Sequence, residues 1–278
     1  MKKETKNPLL RNPSILDNVN TFLPLQKVSG PRPKREIIYD IDKSKKHYVG
    51  VYMYESLDIF DEDVLFSILY LCKPKFSATG VKDCLEDKDL LKKLELNLSE
   101  PYPPLILNTT IYSIIKVMGK SKSKALYDKI KKSLWRLAKT SISFETQRYI
   151  GSSNFLSYNI DRDTKELRVI INPISIGLLT GAINSYNTHN LNERFSLPDG
   201  MPRKIHRVLN SCSREKNKKK SGSMYLTNLI IKVKDKESAT PEDIKQIKKY
   251  LSKMNEKLNW EINIIGRGGD SMVHWKMN

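Results

Sequence analysis

Between Asn108 and Thr140 the chain reads NTTIYSIIKVMGKSKSKALYDKIKKSLWRLAKT, and this stretch restricts the fold more than any other. Its spacing predicts two helices joined by a tight turn. The first runs from a cap at Thr109 or Thr110 through Ile111, Ile114, Ile115 and Met118 and stops at Gly119. Gly119-Lys120-Ser121-Lys122-Ser123 then supplies a glycine that tolerates the left-handed conformation and two hydroxyl caps for the next helix. In that second helix Leu126, Ile130, Leu134 and Leu137 recur on one face. Lys124, Asp128, Lys131 and Trp135 lie opposite, with Tyr127 on the flank. From Lys120 to Lys139 there are eight basic residues, including Lys120, Lys122, Lys124 and Lys131, against the single acid Asp128. An apolar-backed helix with lysines and serines at its start is what major-groove recognition requires: the helix start meets base edges while flanking cations and hydroxyls hold phosphates. An ordinary amphipathic hairpin with a solvated lysine face would show the same spacing.

The chain carries a formal net charge of +18 over 278 residues. Such an excess says nothing about fold, but it biases partners towards nucleic acid, an anionic membrane or an acidic protein. No apolar run approaches the roughly 20 residues a spanning helix needs, so no membrane partner is expected. The start, MKKETKNPLLRNPSILDN, has basic residues without a following apolar core and does not read as a secretory signal. Cys72, Cys84 and Cys212 show no paired spacing, which points to structural thiols in a reducing cytoplasm.

Residues 1–36, rich in Pro, Asn and Lys, read as a flexible basic N-terminal arm, either trailing along DNA or simply solvated. Residues 37–191 read as a first domain. Ile37–Asp42 and Tyr48–Met53 alternate as a strand pair about the turn Lys43–Lys46. Asp61-Glu62-Asp63 opens a helix with Val64, Leu65, Ile68, Leu69 and Cys72 inward, the acids suiting the helix dipole. Residues 73–107 are hard to read; Asp83–Leu98 fits a short helix or a strand. After Lys139 the period becomes strand-like at Ser141–Phe144, Ser153–Ile160 and Leu167–Ile171, with turns at Gln147–Gly151 and Asp161–Thr164. Helix, turn, helix and a small antiparallel sheet is the order of a winged helix, in which a β-turn such as the one bearing Arg148 lies beside the recognition helix. Asn172-Pro173 starts a further helix through Leu179, and Gly181–Leu197 reads as a loop leading to a strand.

Residues 192–278 repeat the plan. Pro202–Leu209 is a basic helix whose Arg203, Lys204 and Arg207 are candidate DNA contacts. Beyond the run Lys216–Lys220, a strand at Met224–Leu226 leads into a helix with Leu229, Ile230 and Val233. Thr240-Pro241-Glu242-Asp243 caps a long helix with Ile244, Ile247, Leu251, Met254 and Leu258 inward and Lys245, Gln246, Lys249 and Lys253 outward. Trp260–Ile265 and Ser271–Met277 form a hairpin about a turn carrying Arg267. The fold class expected is α+β, with two tandem winged-helix domains.

No reaction chemistry is visible. Gly266-Arg267-Gly268-Gly269 lacks the spacing of a phosphate-binding loop and reads as a hairpin turn. His47, His189, His206 and His274 are scattered, which argues against a metal site; His206 reads as a helix-surface histidine and Cys212 as a buried thiol. There is no nucleophile elbow, and Asp161 with Asp163 reads as a turn pair. No catalytic residue, metal or cofactor is expected, and the chain does not read as an enzyme.

Several segments resemble the iteron-binding plasmid replication initiators, specifically the replication protein C type of IncQ-like plasmids. The resemblance lies in Ala125-Leu126 with Ile130, Leu134, Arg136, Leu137 and Lys139 running into Ser141-Ile142. It continues in Phe155-Leu156-Ser157-Tyr158, in Leu167-Arg168-Val169 and in Asn172-Pro173-Ile174, with Tyr39-Asp40 and the helix from Asp61 to Leu71 upstream. Downstream it is mainly one of element order. The resemblance implies binding to directly repeated sites in double-stranded DNA at a plasmid origin, opening of the duplex there, and work with a separate helicase and primase. The second recognition helix departs from this, because Glu242 and Asp243 at its start are unfavourable beside phosphates; its reading part then falls at Lys245, Gln246 and Lys249. A transcription regulator would need the same parts, and a partner-binding protein could use its lysines for solubility alone. Self-association stays open.

Overall fold

The computed structural model describes residues 9–13, 21–24, 32–42, 47–77, 105–145, 150–172, 186–216 and 219–277. The turn Lys43–Lys46, the segment Asp83–Leu98, the position of Arg148 and the helix expected from Pro173 lie outside the described residues. In chain order the elements are strands β1 (Leu9–Pro13), β2 (Phe22–Leu23), β3 (Arg35–Asp42), β4 (His47–Met53) and β5 (Leu57–Asp58), then helix α1 (Ile59–Ser77). Strand β6 (Leu105–Thr110) leads into helices α2 (Ile111–Val117) and α3 (Lys124–Ala138). Strands β7 (Thr140–Glu145), β8 (Ile150–Asn154), β9 (Leu156–Ile160), β10 (Glu166–Ile171) and β11 (Tyr186–Asn190) follow, then helices α4 (Leu191–Ser196) and α5 (Met201–Ser211). The chain finishes with β12 (Arg214–Lys216), β13 (Lys219–Tyr225), α6 (Leu226–Lys234), α7 (Pro241–Lys257), β14 (Trp260–Ile265) and β15 (Met272–Met277). This is a mixed α/β chain with several small antiparallel sheets.

It divides into two compact units. The first comprises Ser29–Leu57 and Asp61–Asn184, the second Met1–Val28, Asp58–Phe60 and Ser185–Asn278. Within the first, β6, β10 and β9 form an antiparallel sheet in the order β6-β10-β9, and β3, β4, β7 and β8 form another in that order. Ile114, Ile115, Ile130, Leu134, Leu137, Leu167 and Val169 are fully buried. This is the apolar stripe of the two predicted helices together with one face of β10.

The second unit holds a four-stranded sheet, β12-β13-β15-β14, and a separate β1–β11 pair. Its core unites Ile205 and Leu209 of α5, Leu229 and Ile230 of α6, Ile247, Leu251 and Met254 of α7, and Trp260, Val273 and Trp275 of the hairpin. Gly222 of β13 permits this packing, because a Cβ there would stand 2.3 Å from the Trp275 ring. With the β7–β8 hairpin set aside, the two units share an element order: helix, strand, helix, helix, strand, strand, with the first strand bordering the last. The series is α1, β6, α2, α3, β9, β10 in one and α5, β13, α6, α7, β14, β15 in the other.

Four expectations are corrected. Residues 1–36 are not wholly an arm: β1 pairs with β11 from Leu9↔Asn190 to Pro13↔Tyr186, and Phe22 is buried. Ser153–Ile160 is not one strand. The chain breaks at buried Phe155, sending β8 to the β3–β4–β7 sheet and β9 to β10. The β7–β8 hairpin therefore belongs to a sheet of its own, built on the strand pair at residues 35–53. Gly181–Leu197 ends in a helix, α4, capped by Asn190, whose side chain accepts from the Asn192 and Glu193 amides. Leu226 starts α6, while the strand before it reaches back to Lys219.

Candidate nucleic-acid interface

The first unit presents α3 by its N-terminus. Thr110 caps α2, its hydroxyl accepting from the Ser113 amide, and Gly119 ends that helix at φ +64°. Four residues later Ser123, extended at φ −150°, accepts from the Leu126 amide at 3.2 Å and starts α3. Ser121, Lys122, Ser123 and Lys124 are exposed there, Lys120 and Tyr127 half-buried, and the first turn holds no acid. Lys122 is steadied over the Tyr112 ring, 5.8 Å from its centroid. Along the same face Asp128, Lys131, Lys132, Trp135 and Lys139 are exposed, opposite the buried Ile130, Leu134 and Leu137. A helix start leaves unpaired amides and a partial positive charge. With lysines on both sides of it, this end of α3 is built for an anion.

Arg136 is the exception among the basic residues of α3. It is buried, and its Nε and Nη2 donate to both carboxylate oxygens of Asp61 on α1 at 2.6–3.2 Å. Arg32 donates to the same carboxylate at 2.9 Å. The acid at the start of α1 thus locks α1 to the far end of α3.

The turn between β9 and β10 is the hairpin bend adjoining the three-stranded sheet of this unit. Asp161 Oδ1 accepts from the amides of Asp163 and Thr164 at 2.7 and 2.8 Å, which hold its carboxyl below the usual range, the Thr164 amide contributing most. Arg162 and Lys165 are exposed on that turn, Lys165 at φ +62°. The turn bearing Arg148 lies outside the described residues; among the described ones, the β9–β10 turn is a basic turn framed by a self-capping Asp.

In the second unit α7 begins with a capping box. Thr240 accepts from the Asp243 amide, and Asp243 accepts from the Thr240 amide. Asp243 also receives Lys234, and Lys236 at 3.2 Å. The Lys234 ammonium, above all, drives its acidity well beyond the ordinary range. Asp243 is therefore turned inward and neutralised. Glu242, Lys245 and Lys249 are exposed; Gln246 is half-buried and accepts from Lys234 at 2.6 Å. Arg267 is exposed in the β14–β15 turn, which Lys248 of α7 reaches through Ser271 at 3.4 Å.

Three candidate contacts are corrected. Arg203, Lys204 and Arg207 on α5 are only 2%, 1% and 1% exposed. Arg203 donates to the Leu197 carbonyl at 3.0 and 3.1 Å and pairs with Asp199 at 2.9 Å. Lys204 donates to the Phe22 carbonyl at 2.8 Å, and Arg207 lies 5.8 Å from the Phe22 ring centroid. The segment around Phe22, distant in sequence, covers the face that periodicity left to solvent. His206 is likewise buried rather than on the surface. It stacks on Trp260 at 5.1 Å and shares Glu193 with the Trp260 indole N–H, and burial pushes its pKa down to about 4. Cys212, expected buried, is half-exposed. Among the described residues no three His, Cys, Asp or Glu side chains gather as a metal site, and no helix is long and apolar enough to cross a membrane.

No protein-family model matches the chain, and no curated protein matches it significantly. Solved structures do. A crystal structure of domains 2 and 3 of RctB, a selenomethionine derivative, aligns with TM-score 0.57 at 14% identity, covering 95% of this chain and 98% of that one. A second crystal structure of RctB domains 2–3 aligns with TM-score 0.50 at 12% identity, covering 95% of each. The chain therefore shares the fold of those two domains. The Pi initiator protein in complex with iteron DNA aligns over 67% of this chain and 87% of that one at 12% identity, with TM-score 0.47, too loose a likeness to bear on the fold.

Proposed function

We propose that the chain is a sequence-specific duplex-DNA-binding protein made of two winged-helix units, which recognises direct repeats at a replication origin and starts plasmid replication by opening the duplex locally. The observation that carries this reading is the recurrence of one arrangement. In each unit a capped helix, α3 or α7, offers exposed lysines, and downstream of it a two-stranded hairpin, β9–β10 or β14–β15, carries a basic turn. In the first unit Ser121 to Lys124 meet base edges and phosphates at the start of α3, Asp128, Tyr127 and Lys131 continue the reading face, and Arg162 and Lys165 take the wing. In the second, Lys245 and Lys249 read with Gln246 beside them, and Arg267 takes the wing. The resemblance to replication protein C type initiators supports origin repeats as the target, with a replicative helicase and primase as protein partners in the cytoplasm and self-association as a further contact. The protein acts by binding, without cofactor or reaction of its own.

Selection of bound sites from random duplex DNA tests this. An asymmetric motif suited to head-to-tail repetition is expected, whereas a palindrome would favour a transcription regulator. Neutralising ~6–10 phosphates should cost roughly 10³–10⁵ in affinity between ~50 and ~200 mM salt. A flat salt response would leave the lysines as a solubilising surface.

A further inference from the structure

At the far end of α3 from its capped start, the first unit carries a cleft of about 490 Å³ lined by Lys34, Arg35, Glu36, Tyr52, Met53, Tyr54, Lys139 and Ser141. Tyr54 is 55% exposed and meets Trp135, itself 37% exposed, edge to face with ring centroids 5.8 Å apart and planes at 87°. In such a pair the ring that offers its edge keeps both faces clear of its neighbour. Lys34 stands 5.5 Å from the Tyr54 ring centroid. The segment bearing Lys34 is pinned in place: the Pro33 carbonyl accepts from the Ser56 amide and hydroxyl at 2.8 Å, and Arg32 donates to the Ser56 carbonyl and to Asp61. Two large rings left in solvent do little for the core. With Lys34, Arg35 and Lys139 in the cleft lining and Glu36 as its acid, they form a stacking surface beside a cationic track.

We propose that this cleft binds single-stranded DNA, one unstacked base lying against the Tyr54 and Trp135 rings while Lys34 and Lys139 hold the flanking phosphates. Sequence-tolerant stacking on aromatic rings with backbone-tracking cations is how proteins hold single strands. The cleft is large enough for a base, and exposed Lys139, which follows the end of α3, lines it. The site goes beyond duplex reading and stands or falls separately from it.

The probe is an oligothymidylate of about 12 nucleotides, titrated against the full chain with tryptophan emission as readout. Of the three tryptophans, Trp260 and Trp275 are 4% and 2% exposed and lie in the second unit, so quenching reports Trp135. Quenching that persists once salt has weakened ionic binding is expected. Tyr54→Ala should lower oligothymidylate affinity about tenfold or more, Tyr54→Phe should retain it, and both should bind a selected duplex as the wild type does. Binding without Trp135 quenching, no binding, or Tyr54→Ala matching wild type while Lys34→Ala does not, would overturn the proposal. Loss of duplex binding by the wild type would instead overturn the duplex reading and leave this result standing.

Discussion

The two units carry different charges at the starts of α3 and α7. In α3 a neutral Ser123 caps, no acid sits in the first turn, and the carboxylate that matters, Asp61, is buried at the opposite end against Arg136. In α7 the cap is a Thr240–Asp243 box, and its carboxylate lies at the very end that would face DNA, held inward by Lys234 and Lys236. Both arrangements stabilise a helix end. Only the first leaves that end wholly cationic. The second sets part-buried Lys234 and exposed Lys236 against Asp243 and still exposes Glu242. If both helices read DNA as proposed, the difference gives the stronger phosphate grip to the first unit and puts the reading face of α7 one turn inward, at Lys245 and Lys249.

The largest effect expected from breaking this contrast is on stability. Asp61→Ala leaves Arg136 buried without its carboxylate and should destabilise the first unit by ~3–5 kcal/mol. Asp243→Ala removes a cap and two part-exposed ion pairs and should cost the second unit nearer ~1–2 kcal/mol. Denaturant titration followed by tryptophan emission separates them, since Trp135 lies in the first unit and Trp260 and Trp275 in the second. Equal losses would show that the two carboxylates do the same job.

The units should also differ in acid. His206 is neutral when folded, its pKa about 4 against 6.5 for the free side chain. Between those values the unfolded chain binds the proton and the folded chain does not. The second unit is therefore at full strength above about pH 6.5, loses ~1–3 kcal/mol as pH falls to about 4, and levels off below. The lowered acidity range of Asp243 works in the same direction at more acid pH, its contribution fading as pH drops below the ordinary aspartate range. His206→Phe keeps a ring against Trp260 and should flatten the first of these slopes. If the first unit melts in the same window, another group is responsible.

Smaller effects divide the reading helix. Lys124→Ala should change site preference by ~1–3 kcal/mol at one or two base pairs. Ser123→Ala should add a loss of about 1 kcal/mol in helix stability. Lys139→Ala, at the far end of α3, should weaken all duplexes alike and reduce the salt slope by about 1. A panel of mutated sites checks all three; unchanged specificity in Lys124→Ala would mean that another helix or another face reads the bases.

The parts of this architecture set by local chemistry were legible in the chain. The α2–α3 hairpin follows from apolar steps of three and four, Gly119 and Ser123, and α7 from Thr240-Pro241-Glu242-Asp243. Strands β3, β4, β10, β14 and β15 follow from alternation. What stayed hidden depends on distant partners. Periodicity placed Arg203, Lys204 and Arg207 on a polar face, and the Phe22 segment, far away in the chain, together with the turn at Leu197 and Asp199, makes that face interior. Arg136 was counted only as one more basic residue of its stretch, because its partner, Asp61, lies on another helix. The break at Phe155 divides one apolar run between two sheets, and no local signal distinguishes a strand that continues from one that changes partner.

The central claim is that two unlike readers on one chain bind different portions of one asymmetric site. Footprinting of the selected duplex by the full chain, with Lys122→Ala/Lys124→Ala and Lys245→Ala/Lys249→Ala as the two variants, tests it most directly. The account predicts that each variant keeps protection over one portion of the repeat and loses it over the other, the first with the larger drop in affinity. Loss of the same portion by both variants, or an unchanged footprint from the α7 variant, would contradict it.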